Sequence, residues 1–405
     1  MNGSNDKPPV VILSGIRWDF LWQRHQILAT LFAQAGYPTV FVETTGLRIP
    51  SPNLGTLREL LRRLLQAFRN RKVHGEESSK APDSRDRGGT PSNLVVYSPL
   101  VVPPTWKVFR RLNRRLLVPR VVRDLRHLLK GISPVVVAYP PTRTTLDILS
   151  ELKPRLTMYD CSENYEGFPG IPCDVKLTER ELLGRADLVS CTSSFLLEKV
   201  RPTRPDAFLN GPGVDYERFA VLQGAQSAGT QPGGAQPGGP VRTVCFFGHL
   251  SEERVEFSIL TGLAERGFEV RLVGGLGRVE EGFFSTPGVE YWGKVSHAGL
   301  PEALAGTDTF IIPYRINTLT LGISPAKIYE CLATGIPVVA TPLPELKRME
   351  GHVYLAEGAE GFAEVLRDLP RLESGEAVRA RLRLARENSW EARFADIEKE
   401  IRRKL

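Results

Sequence analysis

The chain has 405 residues, a formal net charge of +7 and 41% hydrophobic residues, which predicts a globular protein with two domains of ordinary size. No run of about 18 apolar residues occurs, and the polar start 1–9 does not resemble a signal peptide, so we expect a cytoplasmic protein without a membrane-spanning helix. The five cysteines lack metal-ligand spacing, which argues against a zinc site and a disulfide framework. We interpret four of them as small apolar residues and leave Cys161 open.

Apolar, β-branched runs alternate with helical patterns in the first half of the chain. Such runs are typical of buried parallel strands. They lie at 10–14, 39–42, 94–97, 135–138, 156–159 and 188–191. The pattern predicts an N-terminal α/β domain over 1–220, in which the polar segment 72–93 is an insertion.

Residues 48–130 carry most of the positive charge. They contain 19 Lys and Arg against 6 Asp and Glu, a net +13, so that the rest of the chain is net −6. Two stretches, 57–71 and 106–130, combine leucines at helical spacing with clustered arginines, which predicts amphipathic basic helices. A solvated helix face is the ordinary interpretation, but we favour contact with an anionic membrane surface, because an apolar set accompanies the arginines. That set is Trp106, Val108, Phe109, Leu112, Leu116 and Leu117.

The same charge does not predict a nucleic-acid partner, since no stacking-aromatic or helix-turn-helix module accompanies it. Residues 221–242 then separate the two halves of the chain. They contain a QPGGAQPGG duplication and few apolar residues, which predicts a linker or a disordered loop.

The strand pattern repeats beyond this linker. Apolar runs lie at 243–247, 270–273, 289–292, 309–312 and 338–341, separated by segments of helix length. They predict a second domain over 243–385. The fold class is therefore expected to be α/β, with two doubly wound Rossmann-like domains facing a cleft in which substrates bind.

The segment 324–341, SPAKIYECLATGIPVVAT, carries the most informative chemical pattern. Pro325 suits the first turn of a helix, a glycine ends that helix, and PVVAT supplies the next strand. Backbone N–H groups at a helix start bind anions, so we expect Ser324, Pro325 and Lys327 beside a pyrophosphate. Glu330 lies three residues further on and is placed to reach a ribose hydroxyl pair. An ordinary amphipathic helix is the alternative, which the order of helix, glycine and strand disfavours.

This segment resembles the donor-binding segment of GT-B glycosyltransferases, especially bacterial enzymes that assemble exopolysaccharides and other surface glycans. Further segments agree in order: GIRWDFLWQRHQILATLFAQAGYPTVFVE, ADLVSCTS, LNGPGVDYERF, FFGHL, VGG, YWGKV and DTFIIPY. The resemblance implies donor contacts by Gly248 and His249 in FFGHL, by Gly274 in VGG and by Val295 in YWGKV. It also implies that a terminal helix within 386–405 returns to the N-terminal domain.

One position departs from the family pattern. Many retaining members carry two glutamates eight positions apart, but Gly322 occupies the place of the first, eight residues before Glu330. Members without it often carry the SPxK version, which implies a supplementary phosphate-binding role for Lys327. Arg254 stands where the family often places a cation beside the phosphates, and a solvated arginine at a helix start is its alternative. Retention or inversion at the anomeric carbon stays open.

Two acidic residues follow a buried strand in YDCSENY, 159–165. Asp160 and Glu163 are expected at the carboxyl end of that strand, where a carboxylate can serve as general base for an acceptor hydroxyl. Relatives in surface-glycan synthesis often have a YDxxD-like sequence here, with Glu163 in place of the second Asp. Helix capping by Asp160 or Ser162 is the alternative.

The passage after the first strand contains a third candidate base. His25 has an unperturbed pKa close to working pH. Gly15, Trp18, Trp22 and Arg24 crowd the same loop-to-helix passage, a composition suited to stacking on a sugar and binding an anionic group. We expect the passage to line the acceptor or donor-phosphate side of the cleft, in preference to a packed aromatic turn.

The sequence thus predicts transfer of a hexosyl group from a UDP- or GDP-sugar to a glycan or lipid-linked glycan. No D-x-D cluster suggests a divalent ion, so no metal or cofactor is expected. Two alternatives stay open. A sugar-nucleotide epimerase of the same architecture would need a smaller and more acidic cleft. A catalytically degenerate scaffold agrees with the missing glutamate, whereas intact Lys327, Glu330 and Gly248 count against it.

Overall fold

The computed structural model describes residues 7–19, 22–43, 90–104, 106–168, 170–227, 239–280 and 282–405, of which 224–227 are described by their backbone alone. The chain divides into two compact units. Unit 1 consists of Met1–Thr192, Leu196–Asn210 and Phe394–Leu405, and unit 2 of Ser193–Phe195 and Gly211–Arg393. The predicted basic helix at 57–71 and most of the insertion at 72–93 lie outside the described residues.

Unit 1 is built on a parallel sheet, which has seven strands within the described part of the chain. The spatial order is β3-β2-β1-β4-β5-β6-β7, and neighbouring strands pair in parallel, with Val10 opposite both Thr39 and Val135. Their carboxyl ends therefore meet at one edge of the sheet. The strands are β1 Val10–Leu13, β2 Thr39–Val42, β3 Leu94–Tyr97, β4 Val135–Ala138, β5 Leu156–Cys161, β6 Leu188–Cys191 and β7 Phe208–Leu209.

Helices follow the strands of unit 1, and their apolar faces cover the sheet. The described helices are α1 Arg24–Gln34, α2 Lys107–Leu112, α3 Val118–Leu128, α4 Arg143–Leu152, α5 Val175–Arg185 and α6 Ser194–Val200. A π-helical turn, Asn113–Leu117, joins α2 to α3. The end of the chain contributes to the same core, because Phe394, Ile397 and Ile401 are buried with Phe32 and the strand residues. The rings of Phe32 and Phe394 meet edge to face at 5.0 Å.

Unit 2 repeats the architecture with a parallel sheet, of six strands in the described residues, ordered β10-β9-β8-β11-β12-β13. These strands are β8 Thr243–Phe247, β9 Glu269–Val273, β10 Val289–Tyr291, β11 Thr309–Ile312, β12 Val338–Ala340 and β13 Tyr354–Leu355. The described helices are α7 Tyr216–Ser227, α8 Phe257–Glu265, α9 Leu300–Leu304, α10 Lys327–Thr334, α11 Pro344–Lys347, α12 Gly358–Leu372, α13 Gly375–Glu387 and α14 Trp390–Lys404, whose last residues belong to unit 1. The predicted α/β fold with two doubly wound parallel sheets is confirmed.

The boundary between the units differs from the predicted one. We placed 1–220 in the first domain and a linker at 221–242, but unit 2 begins at Gly211 and α7 continues to Ser227. The cause is packing, because Tyr216, Phe219 and Leu222 repeat at helical spacing and are buried in the core of unit 2. Their burial stabilises helix α7, although the residues after Leu222 are poor in apolar side chains.

Cysteine burial also differs in part from expectation. Four cysteines are buried, as small apolar residues would be, and all five are free thiols. Cys173 is the exception, because it is exposed beside the first turn of α5. Cys161 and Cys191 occupy paired positions on neighbouring strands.

Candidate functional site

Lys327 begins helix α10, next to the carboxyl end of the first strand of unit 2. Its ammonium nitrogen is buried and has no hydrogen-bond partner among the described residues. The ammonium lies 3.7 Å from the ring centroid of Phe246 and 5.3 Å from that of Tyr314. Aromatic faces offset part of the cost of desolvating a cation, but they do not replace its hydrogen bonds. The Lys327 ammonium is therefore available to an anion.

Two glycines pack closely beside this ammonium: Gly248 lies against Lys327, and Gly274 lies against Gly248. Gly248 follows β8 with φ +126°, and Gly274 follows β9 with φ +142°. A Cβ on Gly248 would lie 2.5 Å from the Lys327 nitrogen, and a Cβ on Gly274 would lie 1.9 Å from the carbonyl oxygen of Gly248. The Gly248 N–H donates to the Val273 carbonyl at 2.8 Å, which holds the two strand ends together. This close packing leaves a small space beside Lys327 that is lined by the backbone of Gly248 and Gly274. We call this space the cradle, and a side chain at either glycine would fill it.

His249 and Arg254 follow Gly248 in the same loop. Burial, and then the positive charge of Arg254, lower the pKa of the half-buried His249, so its imidazole is neutral near pH 7 and can donate one hydrogen bond and accept another. The loop is fixed by its backbone, since the Arg254 carbonyl accepts from the Arg315 N–H at 2.9 Å. The structure thus brings Gly248, Gly274, Lys327 and this loop to one end of the sheet.

Glu330 lies one turn along α10 and contacts a residue that the sequence did not indicate. Its Oε1 atom is 3.2 Å from Nε2 of His297. His297 in turn packs edge to face on Phe219 of α7, with ring centroids 5.8 Å apart. His297 lies two residues after Val295, which is half-buried against the core of unit 2. The signal in the sequence that could have indicated His297 is its position just after the predicted YWGKV loop.

Helix α10 starts later than the helix predicted from the sequence. Helix α10 begins at Lys327, with Ala326 at the N-cap, so Ser324 and Pro325 precede the helix and do not form its first turn. Pro325 still contributes to the entry, because its carbonyl accepts from the Ile328 N–H at 2.9 Å. Gly335 ends the helix with φ +79°, as predicted from its left-handed preference.

In unit 1, Asp160 has a role different from the one predicted. Strand β5 continues through Cys161, so the carboxylate is fully buried within the sheet. Its Oδ2 accepts from Arg24 Nε at 2.7 Å, and its Oδ1 accepts from Ser190 Oγ at 2.6 Å. Arg24 also donates to Asn210 Oδ1 at 2.7 Å. Asp160 and Arg24 therefore neutralise each other as a buried ion pair, which favours a structural role for both over the predicted general-base role of Asp160 and ligand role of Arg24.

His25 is buried beside this ion pair. Its Nδ1 lies 2.8 Å from Ser14 Oγ, and its ring stacks on Tyr139 with centroids 3.5 Å apart. Burial lowers the pKa of His25 to about 3, despite the opposing effect of Asp160. A base of so low a pKa accepts a proton from a sugar hydroxyl poorly, so the structure favours a packing role over the predicted catalytic one.

The aromatic residues of the same passage also pack inward. Trp18 is 4% exposed and meets Phe41 edge to face at 5.0 Å and Trp22 at 5.2 Å. Its backbone N–H donates to the Glu43 carboxylate at 2.7 Å. For Trp18 the structure therefore favours the alternative of a packed aromatic turn over stacking on a sugar. Gly15 lies in the loop after β1, where a Cβ would be in ordinary contact with a proline ring.

Glu163 is the second acidic residue predicted as a base. Unlike Asp160, it lies after strand β5 and outside the sheet. It is half-buried two residues after β5, and its carbonyl accepts from the Tyr165 N–H at 3.0 Å. Glu166, three residues after Glu163, belongs to a cluster of two acids and a lysine: Lys199 forms an ion pair with Glu166, and its Nζ is 3.4 Å from Glu179. No sequence pattern indicated this cluster, because it forms only when α5 and α6 pack beside the loop.

Neither a metal centre nor a membrane span appears in the part of the chain that the structure describes. No group of three or more His, Cys, Asp or Glu there could hold a metal ion. No described helix has the length and apolar content that crossing a bilayer requires.

Comparison with known proteins finds relatives for part of the chain and similar folds for almost all of it. Residues 242–371 match the family model for glycosyl transferases group 1, and that range contains the predicted donor-binding residues. TuaH of Bacillus subtilis, whose name assigns it to teichuronic acid biosynthesis as a glycosyltransferase, is 25% identical over 201 residues. The alignment covers 46% of this chain and 48% of that protein, so the chain spans about half of its relative.

Solved structures resemble the chain over almost its whole length. Sucrose-phosphate synthase of Thermosynechococcus elongatus has a TM-score of 0.67 at 15% identity, covering 98% of this chain and 99% of that one. HepE of Anabaena, solved in complex with UDP, has a TM-score of 0.62 at 13% identity, with coverage of 98% and 99%. HepE in complex with UDP-glucose gives 0.63 at 12% identity, with coverage of 97% and 99%. At these identities the likeness shows the fold.

Proposed function

We propose that the protein is a glycosyltransferase that takes a sugar from a nucleoside diphosphate sugar held by unit 2. The observation that carries this proposal is the buried Lys327 ammonium, which lies against Gly248 without a hydrogen-bond partner among the described residues. A diphosphate oxygen would satisfy the ammonium, and the glycine would let it approach the backbone closely. The match of 242–371 to glycosyl transferases group 1 supports the same assignment.

The chemistry expected of Lys327 is stabilisation of the leaving group. When the glycosidic bond to the donor breaks, negative charge grows on the departing nucleoside diphosphate. A positive charge already placed in a water-poor site needs no reorganisation at that moment. Because Lys327 supplies this charge, we propose that the transfer requires no divalent ion.

Glu330 and His297 are proposed to bind the nucleoside. A carboxylate accepts hydrogen bonds from two adjacent ribose hydroxyls, and the 3.2 Å contact with His297 fixes the orientation of Glu330. We favour uridine, because HepE structures of the same fold contain UDP or UDP-glucose. Guanosine is the competing nucleoside.

The acceptor is proposed to be a glycan or lipid-linked glycan, with Glu163 as the general base. The name of the relative TuaH supports a surface-glycan acceptor. Glu163 is retained because Asp160 is engaged by Arg24 and Ser190, and because the pKa of His25 is about 3.

Calorimetry with UDP, GDP and ADP tests the donor assignment. Replacing Lys327→Met removes a charged hydrogen-bond donor worth about 1.5–3 kcal/mol, so we expect UDP affinity to fall about 10- to 100-fold. The melting temperature without ligand should not fall, because the native ammonium has no hydrogen bond to lose and its burial is itself costly. Lys347→Met, at an exposed position on α11, is the matched control and should bind normally.

Failure of all three nucleotides to bind would overturn the proposal and favour the scaffold alternative. Product analysis then separates the enzymes: a transferase releases UDP only when an acceptor is added, whereas an epimerase converts the donor alone. NMR of the product's anomeric proton would establish retention or inversion.

A further inference from the structure

An exposed apolar and basic surface covers the beginning of the helical segment in unit 1. We call it the 106–116 face. Its apolar members are Trp106, Val108, Leu112 and Leu116, of which Trp106, Val108 and Leu116 are 63%, 68% and 64% exposed. Its basic members, all exposed, are Lys107, Arg111, Arg114 and Arg115. Large apolar side chains grouped at such exposure mark an interaction surface.

The opposite side of the same segment is anchored to the unit. Asn113 is buried in the π-helical turn, where its amide donates to the Val102 carbonyl at 2.7 Å and accepts from the Val102 N–H at 3.1 Å. The same amide donates to Thr144 Oγ1 at 3.0 Å. Arg110 pairs with Asp174 at 2.6 Å. These contacts hold the segment in one orientation, so the 106–116 face is presented outward by the fold.

The arrangement of the face is amphipathic along its length. Val108, Leu112 and Leu116 follow one another at four-residue intervals and so form one stripe, while Lys107, Arg111 and Arg115 form the stripe beside it. The sequence between 106 and 116 contains no Asp or Glu. The Trp106 ring stacks on Phe109 at 5.2 Å while remaining mostly exposed.

We propose that the 106–116 face docks on the surface of a lipid bilayer that contains anionic lipids. The basic side chains would bind the headgroups, and the apolar stripe with Trp106 would enter the boundary between headgroups and acyl chains. A surface with charge alone would suit nucleic acid, but exposed Val and Leu gain nothing from a phosphate backbone. A second copy of the same face would bring like charges together.

This surface belongs to unit 1 and is independent of the donor site in unit 2. The docking proposal therefore does not require the proposed function to be correct. If both hold, the enzyme would meet a lipid-linked acceptor at the surface where that acceptor resides.

Sedimentation of the full-length protein with vesicles tests the proposal. The vesicles are phosphatidylcholine alone or phosphatidylcholine with about one third phosphatidylglycerol. We expect partition onto the anionic vesicles alone, weakened by added salt. Arg115→Gln with Leu116→Ser removes one charge and one inserted side chain, so the partition coefficient should fall about tenfold.

The chain offers a matched control for this double variant. Arg371 and Leu372 are also an exposed Arg-Leu pair on a helix, at the end of α12 in unit 2. Arg371→Gln with Leu372→Ser makes the same chemical change and should leave partition unchanged. Circular dichroism checks that both variants are folded, and UDP affinity should be unaffected in each.

Several results would overturn the docking proposal. One is that the wild type does not partition onto anionic vesicles. Another is that both double variants lose partition equally. A third is that the variant changed at 115 and 116 partitions as fully as the wild type. Self-association that depends on Leu116, or tighter binding to a nucleic acid than to vesicles, would assign the face to one of those partners instead.

Discussion

The buried cationic groups of Arg24 in unit 1 and Lys327 in unit 2 differ in how their charge is matched. Arg24 in unit 1 donates to both oxygens of Asp160 and to Asn210, and that carboxylate also accepts from Ser190. Lys327 in unit 2 lies over aromatic rings with no hydrogen-bond partner among the described residues. Both lie close to the carboxyl ends of parallel strands, where ligands of such sheets bind.

The difference shows why position alone does not identify a ligand site. A buried charge that is fully matched inside the protein has no remaining capacity for a ligand, and its partner is needed for folding. A buried charge left unmatched keeps that capacity, at a cost in stability that a bound anion would offset. The sequence predicted a ligand role for both Arg24 and Lys327, and the partners of the two charges in the structure separate them.

Removing the partner of Arg24 should have the largest effect. Asp160→Asn leaves a buried guanidinium without a counter-charge, so we expect the free energy of unfolding to fall by about 3–5 kcal/mol. Urea denaturation measures it. Asp206→Asn is the control, because Asp206 pairs with Arg204 at an exposed position and should cost less than about 1 kcal/mol. Similar losses in both variants would contradict the contrast between structural and available charge.

Disturbing the cradle of Lys327 should have an intermediate effect. Gly248→Ala places a side chain at φ +126°, which costs about 1–3 kcal/mol of backbone strain. The new Cβ would also displace the Lys327 ammonium, so UDP affinity should fall with stability. Gly275→Ala is the matched control, since its φ is not positive and its Cβ would lie 3.7 Å from His249. If the two variants had the same melting temperature and the same UDP affinity, the proposed role of Gly248 beside Lys327 would be contradicted.

The pH dependence of unit 1 should show a smaller effect through His25. Its pKa is about 3 in the folded protein and 6.5 ordinarily. Below pH 6.5 the unfolded chain therefore binds a proton that the folded protein does not, and stability falls as pH decreases towards 3. The slope for one proton is about 1.4 kcal/mol per pH unit at most.

Unfolding at pH 6 and pH 5 measures this slope. Between these pH values the wild type should lose about 1 kcal/mol more stability than His25→Asn. His127→Asn, at an exposed position on α3, should follow the wild type. Parallel profiles for the wild type and His25→Asn would contradict the buried, neutral state of His25.

The fold was largely predictable because its signals are local. Each predicted strand is present, with bounds that differ by at most two residues. The strands missed, Phe208–Leu209 and Tyr354–Leu355, have two residues each at sheet edges, too short for an apolar pattern. The predicted linker included the end of helix α7, because the buried residues of this helix precede a segment whose composition is that of a linker.

The site was predictable only where residues lie in one motif. Lys327 and Glu330 share a helix, and the order of motifs indicated Gly248 and Gly274. The pairing of Arg24 with Asp160 joins positions 136 residues apart and follows from the side-by-side arrangement of strands, which composition does not reveal. His297 meets Glu330 from 33 residues away for the same reason.

The last helix has a consequence for the order in which the protein acquires its structure. Phe394, Ile397 and Ile401 complete the core of unit 1, although the other residues of that unit end at Asn210. During synthesis at about 5–20 residues per second, unit 1 would wait about 10–40 s for these side chains after Asn210 is made. Its apolar surface stays uncovered on the ribosome for that interval, which is the time in which the chain of unit 2 is synthesised.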